Sequence, residues 1–398
     1  MSKKRREVAP RPLTKKQQSR AEREARMNRW LIIGTVAVCI LVLAVVGYGL
    51  LDHFVLKARE PVAIVNGIPI SAADFEARVR YHRSILKEEQ AYLTAQRMAI
   101  DPTDPDSSSI LEYLNTQIRQ LDTQLSPAYA TFLGKEILDQ MIREELIRQE
   151  AARRGITVSQ EEIDRAIEEQ FGYDRDAAAL SLTPTAAPSV SPTVEVTATA
   201  TPAPTPMPRE EFERLYREFV NNRLKPAGLS EKKFRAMVEA SLLYDKLQEA
   251  FAAELPPKME QVQFRHMSFS SEEAAKKALE RLEKGEKWED IAAEIQENTE
   301  DGAYAVDAQW GTQGYLEDLF GETAAATVWS TQNGQYTQPI AAEDGRWYIV
   351  QVLGREEREL DFWLKLTEQQ RRFQAWLDAQ MAQVQYSDNW QEKVPTQP

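Results

Sequence analysis

The chain has 398 residues, 42% of them hydrophobic, which is enough for two or three globular units. Its net charge of −13 is unevenly spread: residues 1–29 carry eleven Lys and Arg against three Glu, a net of +8, which leaves −21 for the rest. An acidic body without a basic face excludes nucleic acid as a partner, and the single cysteine, Cys39, excludes a disulfide within the chain.

Residues 30–51 (WLIIGTVAVCILVLAVVGYGLL) hold no charge, and as a helix they would be about 33 Å long, enough to cross the hydrocarbon core. Trp30 and Tyr48 stand near the ends as interfacial aromatics, and the basic residues 1–29 predict a cytoplasmic tail. The expectation is a retained anchor in the lipid bilayer, single-pass, with the C-terminal bulk outside the cytoplasm. A cleavable signal peptide would need a shorter apolar run and a small-residue cleavage site, which Gly47-Tyr48-Gly49 supplies poorly. Cys39 sits inside the run after Val38, as a small buried side chain rather than an acylation site.

Beyond the anchor, Pro61 to Ile70 reads as a hairpin around Asn66-Gly67. Ser71, with Asp74 three residues on, caps a helix bearing Phe75 and Val79. Residues 101–109 (DPTDPDSSS) form a short polar interruption. A helix from about Leu133 to Arg154 places Ile137, Leu138, Met141, Leu146 and Ile147 on one face and closes at Gly155. Ser159 caps a third helix, with Glu161 and Glu162 at its positive end. Residues 174–208 are a Pro/Thr/Ala/Ser tract with too few large apolar residues to fold, expected as a disordered insertion. Helices then follow from Arg209 to Asn222 and, capped by Ser230, to Leu255 before Pro256-Pro257.

The strings VAIVNGIPISAADFEARV, FLGKEILDQMIREELIRQEAARRGITVSQEEIDRAI and GLSEKKFRAMVEASLLYDKL together resemble the N-terminal chaperone domain of SurA and PrsA-type foldases over residues 61–255. The resemblance implies a groove for unfolded chains; the apolar stripes alone imply only a packed helical core.

Residues 261–355 read as strand, helix, helix, irregular segment, helix, turn and strands, an α+β pattern. RHMSF with its following EEA helix, KGEKWEDIA, Trp310 with Gly314, and NGQYTQPI leading to WYIVQV resemble the parvulin (PpiC) type of prolyl isomerase. Rotation about an X-Pro bond takes about 10–100 s unaided, and a catalyst of it needs no nucleophile or metal. It needs an apolar pocket for the proline ring and polar groups that favour the twisted amide. The resemblance places His266 at the family's first histidine, Asn298 at its Cys or Asp position and Tyr348 at its second histidine, as candidate catalytic residues. It places Leu316 and Phe320 in the proline pocket, with Trp310 beside it for substrate binding. The chain departs from the family at Asn298 and Tyr348, and at Ala305-Val306-Asp307 where the family reads Gly-Gly-Asp, so the usual histidine pair cannot form. His266 reads equally as catalytic or as a satisfied structural histidine.

A helix within residues 360–390, with Phe373, Trp376, Leu377 and Met381 on one side, is in the family the element that returns to the chaperone helices. The expected class is α+β: one N-terminal transmembrane helix, a SurA-like helical domain, an inserted parvulin-like domain and a returning C-terminal helix. No cofactor is expected. No GxxxxGK[ST] string predicts a nucleotide, and three scattered histidines give no metal-ligand spacing. The function implied is an anchored foldase that binds unfolded secreted polypeptides and isomerises prolyl bonds. A holdase with a degenerate isomerase domain and a structural cell-surface protein remain as alternatives.

Overall fold

The computed structural model describes residue 42 and residues 59–104, 107–176, 206–297 and 302–397. Apart from residue 42, the expected spanning segment 30–51 therefore lies outside the described residues, as do the basic tail and most of the tract 174–208. Among the described residues, no helix is long and apolar enough to cross a membrane.

A first sheet is small. β1 (Pro61–Val65) and β2 (Ile68–Ser71) form an antiparallel hairpin whose turn puts Asn66 and Gly67 at φ 49° and 85°, as a tight two-residue hairpin requires. On the other side of β1 lies β7 (Gln385–Tyr386), from the far end of the chain. Around this sheet stand α1 (Ala72–Ala99), α2 (Ser108–Leu125), α3 (Ala130–Arg154), α4 (Gln160–Gln170), α5 (Arg209–Phe219) and α6 (Glu231–Ala253). Short polar side chains set the starts: Ser71 accepts from the Asp74 amide, Ser230 from that of Lys233, and Ser159 exchanges bonds with Glu162 in a capping box. Gly155, at φ 72°, ends α3. Between α1 and α3 the structure adds α2, which buries Leu114, Ile118 and Leu121. Beyond α5 the chain widens into one π turn, Val220–Leu224.

The core of this helical part includes Val65, Phe75, Ile137, Leu138, Ile142, Leu247 and Phe251, together with Phe373, Leu377 and Trp390 from the last 30 residues. The C-terminal segment binds like a strap: Trp390 meets Phe75 edge-on at 6.4 Å, Lys393 pairs with Glu60 at 2.7 Å, and the buried Arg83 donates to the Thr396 carbonyl at 2.8 Å. Val394 lies directly over Gly134, where a Cβ would come within 2.6 Å of it. Gly134→Val is accordingly expected to lower stability by about 1–3 kcal/mol through overpacking. Urea unfolding checks this, and adding Val394→Ala should recover most of the loss; an unchanged midpoint in the single variant would mean that the strap does not seat on α3.

The second sheet has the order β4-β3-β6-β5, all antiparallel, from β3 (Lys258–Phe269), β4 (Tyr304–Gly311), β5 (Ile340–Ala341) and β6 (Trp347–Glu359). α7 (Glu272–Glu283) and α8 (Trp288–Glu297) cover the face bearing Met267, Phe269 and Ile349. α9 (Gln313–Phe320) and α10 (Glu322–Ser330) cover the face bearing Val262, Phe264, Tyr348, Val350 and Val352. Two sequence expectations are corrected here. The irregular segment is strand β4, paired along one edge to β3, and the single helix expected over 316–330 is two helices broken at Gly321, whose φ of 85° no helix accepts. The last helix, α11 (Phe362–Met381), leaves this domain and runs back into the helical core.

Candidate functional site

The site is built on neighbouring positions of β3 and β6. Register pairs Ser268 with Tyr348 and His266 with Val350, so His266, Ser268 and Tyr348 share the face that α9 covers. From α9, Phe320 meets His266 edge-on at 5.5 Å between ring centres and Tyr348 at 5.0 Å; Phe264 stacks on His266 at 6.0 Å. His266 and Tyr348 are themselves 5.6 Å apart. The result is an aromatic box with Leu316 in its apolar wall. All four expected residues are deeply buried: His266 is 2% exposed, Tyr348 1%, Phe320 1% and Leu316 0%.

Polar groups close the box on one side. Tyr348 donates its hydroxyl hydrogen to Asp344 at 2.6 Å and lies 3.0 Å from the Tyr304 hydroxyl. A phenol has one proton, so Tyr304 is the donor in the second bond. Tyr304, 39% exposed, meets His266 edge-on at 6.1 Å and roofs the box from the start of β4. Arg346 lies over the Tyr304 ring at 5.1 Å and donates to the Ser268 hydroxyl and the Gly302 carbonyl, each at 2.5 Å. Burial pushes the His266 imidazole down to about 4, so the ring is neutral near pH 7, and its Nδ1 has no partner among the described residues. Burial and the bond to Asp344 push the Tyr348 phenol up, so it stays protonated. The box thus presents a neutral imidazole, a protonated phenol and apolar walls, chemistry suited to holding a weakly polar group and unsuited to nucleophilic attack.

Of the residues singled out from sequence, His266, Tyr348, Leu316 and Phe320 come together. Trp310 does not: it pairs with Gln263 at the other end of β4 from Tyr304, and its ring lies 4.4 Å below the Arg358 guanidinium. Asn298 lies outside the described residues. Tyr304, Asp344, Arg346 and Ser268 were not foreseen; the one signal for any of them is the Asp344-Gly345 turn, which marks a bend and not a role. Among the described residues no group of His, Cys, Asp and Glu could hold a metal ion.

A second concave surface lies in the helical part, between the β1–β2 hairpin, α1, α3 and α6. Ile68, Ile70, Met141, Leu229 and Met237 line it, and the buried pair of Arg78 and Glu144 forms its polar side. Methionines in such a cleft adapt their shape to what they meet.

Two family patterns match this chain: a SurA-like N-terminal domain over residues 108–178, and a PPIC-type PPIASE domain over residues 211–362, which begins in α5 and takes in the whole second sheet. The chain carries a SurA-like domain and a PPIC-type isomerase domain. Over 96 residues it is 35% identical to the periplasmic chaperone PpiD of Haemophilus influenzae, a stretch that makes up 24% of this chain and 15% of that protein. The chain thus spans only a small part of that relative's length. Among solved structures, the peptidylprolyl isomerase PrsA of Bacillus anthracis is 13% identical, with 65% of this chain and 93% of that one covered at a TM-score of 0.30. A SurA-like chaperone of Campylobacter jejuni is also 13% identical, covering 82% of this chain and 99% of the other at a TM-score of 0.22.

Proposed function

We propose that the protein is a folding factor held at the membrane by residues 30–51, with its SurA-like and isomerase domains outside the cytoplasm. Unfolded secreted polypeptides lie in the cleft of Ile68, Met141 and Met237, and the isomerase domain turns their X-Pro bonds in the box of His266, Tyr348, Leu316 and Phe320. The observation that carries the reading is the meeting of these four side chains from β3, β6 and α9 on one covered face. Apolar walls favour the twisted amide, which has lost resonance and polarity, over the planar ground state. The Tyr348 hydroxyl and the His266 imidazole supply polar contacts where that twist develops.

The burial of all four residues under Tyr304 supports a second reading, in which the protein holds clients and the box stays shut. A prolyl-isomerisation assay on the full chain in detergent separates the two. An active foldase should lose at least about tenfold in kcat/KM on His266→Ala, roughly 1.4 kcal/mol of transition-state stabilisation. Tyr304→Ala should raise the rate if the roof limits entry. No activity in any of the three, with suppression of client aggregation intact, would leave the holdase reading. The anchor is checked by extraction: the protein should stay with membranes in alkaline carbonate, and release would remove that part of the proposal.

A further inference from the structure

α11 packs into the core of the SurA-like side and makes polar contacts with the isomerase domain. Its later half belongs to the SurA-like side: Phe373 and Leu377 are buried there, and Phe373 meets Phe251 at 5.5 Å and Tyr244 at 5.0 Å, both edge-on. Arg372 donates to the Glu254 carbonyl at the end of α6, at 3.2 Å. One residue earlier, Arg371 points to the isomerase domain and grips α9 by two carboxylates, Glu317 at 2.5 Å and Asp318 at 2.6 Å. Glu368, buried at 9% exposure, accepts the hydroxyl of Thr312, the residue that caps α9. Where these meet, α9 carries Gly314, and a Cβ there would overlap both the Arg371 guanidinium and the Glu368 carboxylate.

The opposite side of α9 is the wall of the box. Leu316 and Phe320, four residues apart, stack along that side, so any tilt or slide of this eight-residue helix moves both. A helix this short has little stability of its own, and its pose is set by what packs on it. One side is fixed by the sheet; the other is fixed by α11, which is rooted in a different domain.

We infer that Arg371 and Glu368 are positioning residues for the isomerase site, through which α11 transmits the state of the SurA-like domain to Leu316 and Phe320. This rests on the isomerase reading above for its consequence, though not for its test. Because coupling between two sites is reciprocal, a client that orders the SurA-like cleft and the root of α11 also orders the prolyl pocket, and a proline bound in the pocket tightens the cleft. An exposed ion pair taken singly contributes little; here Arg371 holds two carboxylates of α9 and packs over Gly314, and the buried Thr312–Glu368 bond adds a second fixed contact.

The test uses the full chain in detergent, with backbone amide hydrogen exchange measured in wild type, Arg371→Ala, Arg371→Lys and Arg371→Glu combined with Glu317→Arg. The expected result in Arg371→Ala is exchange about tenfold faster in α9, an ordinary size for a coupling between sites. Amides of β3 and β6 should keep their wild-type protection, and the lysine and charge-swapped variants should recover part of the α9 protection. With a prolyl peptide, KM should rise more than kcat falls. Unchanged exchange in α9, or an equal loss across β3, β6 and α9, would overturn the inference, since the first leaves nothing transmitted and the second is only lost stability. Absent turnover in the wild type would instead remove the isomerase reading, while the exchange result would still decide whether α11 positions α9.

Discussion

Acidification from pH 7 to pH 4 is expected to cost the isomerase domain about 3 kcal/mol through His266 alone, and His266→Phe should abolish that share of the loss. The imidazole is 2% exposed among Phe264, Tyr304, Phe320 and Tyr348, and burial lowers its pKa from 6.5 to about 4. The charged groups nearest the box, Asp344 and Arg346, are engaged elsewhere: Asp344 accepts from Tyr348 and from the Arg346 amide, and Arg346 binds Ser268 and Gly302. No carboxylate is therefore placed to stabilise an imidazolium. In the unfolded chain the ring takes up its proton near pH 6.5, while in the folded protein it resists until about 4. The contribution is fully present above pH 6.5, falls as the pH drops through this window, and is gone below about 4. Carboxylates elsewhere lose stability in acid as well, Glu150 among them, because its hydrogen bond from Arg153, the largest influence, holds it below its ordinary value. The difference between wild type and His266→Phe isolates the histidine. Urea unfolding of the two proteins at intervals from pH 7.5 to 4 gives that difference, and parallel curves would show that His266 is accessible to water and protons in the folded state.

That dependence turns on a residue the sequence picks out and on surroundings it does not. Helix starts were legible because Ser71, Ser159 and Ser230 act through bonds three residues away, and Gly155 ends α3 through its own φ. Strand β4 was not legible. It is an edge strand paired on one side, with half-exposed residues on both faces, so it shows no apolar alternation. The break at Gly321 was hidden because apolar residues continue on both sides of it; the glycine is needed where the chain turns under Glu343, which a Cβ would strike. Four residues of the box were named by resemblance to a family. Tyr304, Ser268, Asp344 and Arg346 meet only through the pairing of β3 with β4 and β6, a matter of long-range register that no local pattern carries. The same register places Trp310 opposite Gln263, away from the box.

The second large effect lies in the SurA-like domain, where Glu144→Ala is expected to cost about 3–5 kcal/mol by leaving a buried guanidinium without its partner. Arg78 is 6% exposed, and the side chain of Glu144 is 15% exposed. Burial lowers the pKa of Arg78 and raises that of Glu144, so for both groups the cost of leaving water outweighs the attraction between them. The pair is thus a poor source of stability but a costly one to break. Arg148 does not substitute for Arg78: it reaches Glu144 at 3.6 Å and Glu145 at 2.5 Å, and its own Nε is buried without a partner among the described residues. With the Glu144 carboxylate gone, Arg148 keeps Glu145, whereas Arg78 has no second ion pair among the described residues. Replacing both members, Arg78→Met with Glu144→Met, removes both desolvation costs and adds apolar contact, so the double variant should unfold within about 1 kcal/mol of wild type or above it. Denaturant midpoints for Arg78→Met, Glu144→Met and the double variant close this cycle. Additive losses would mean that the two charges are solvated separately rather than paired. The pair also forms the polar side of the cleft beside Met141 and Met237, so a double variant that folds well and still suppresses client aggregation places client affinity on the apolar walls, whereas one that folds well and fails assigns the pair to recognition.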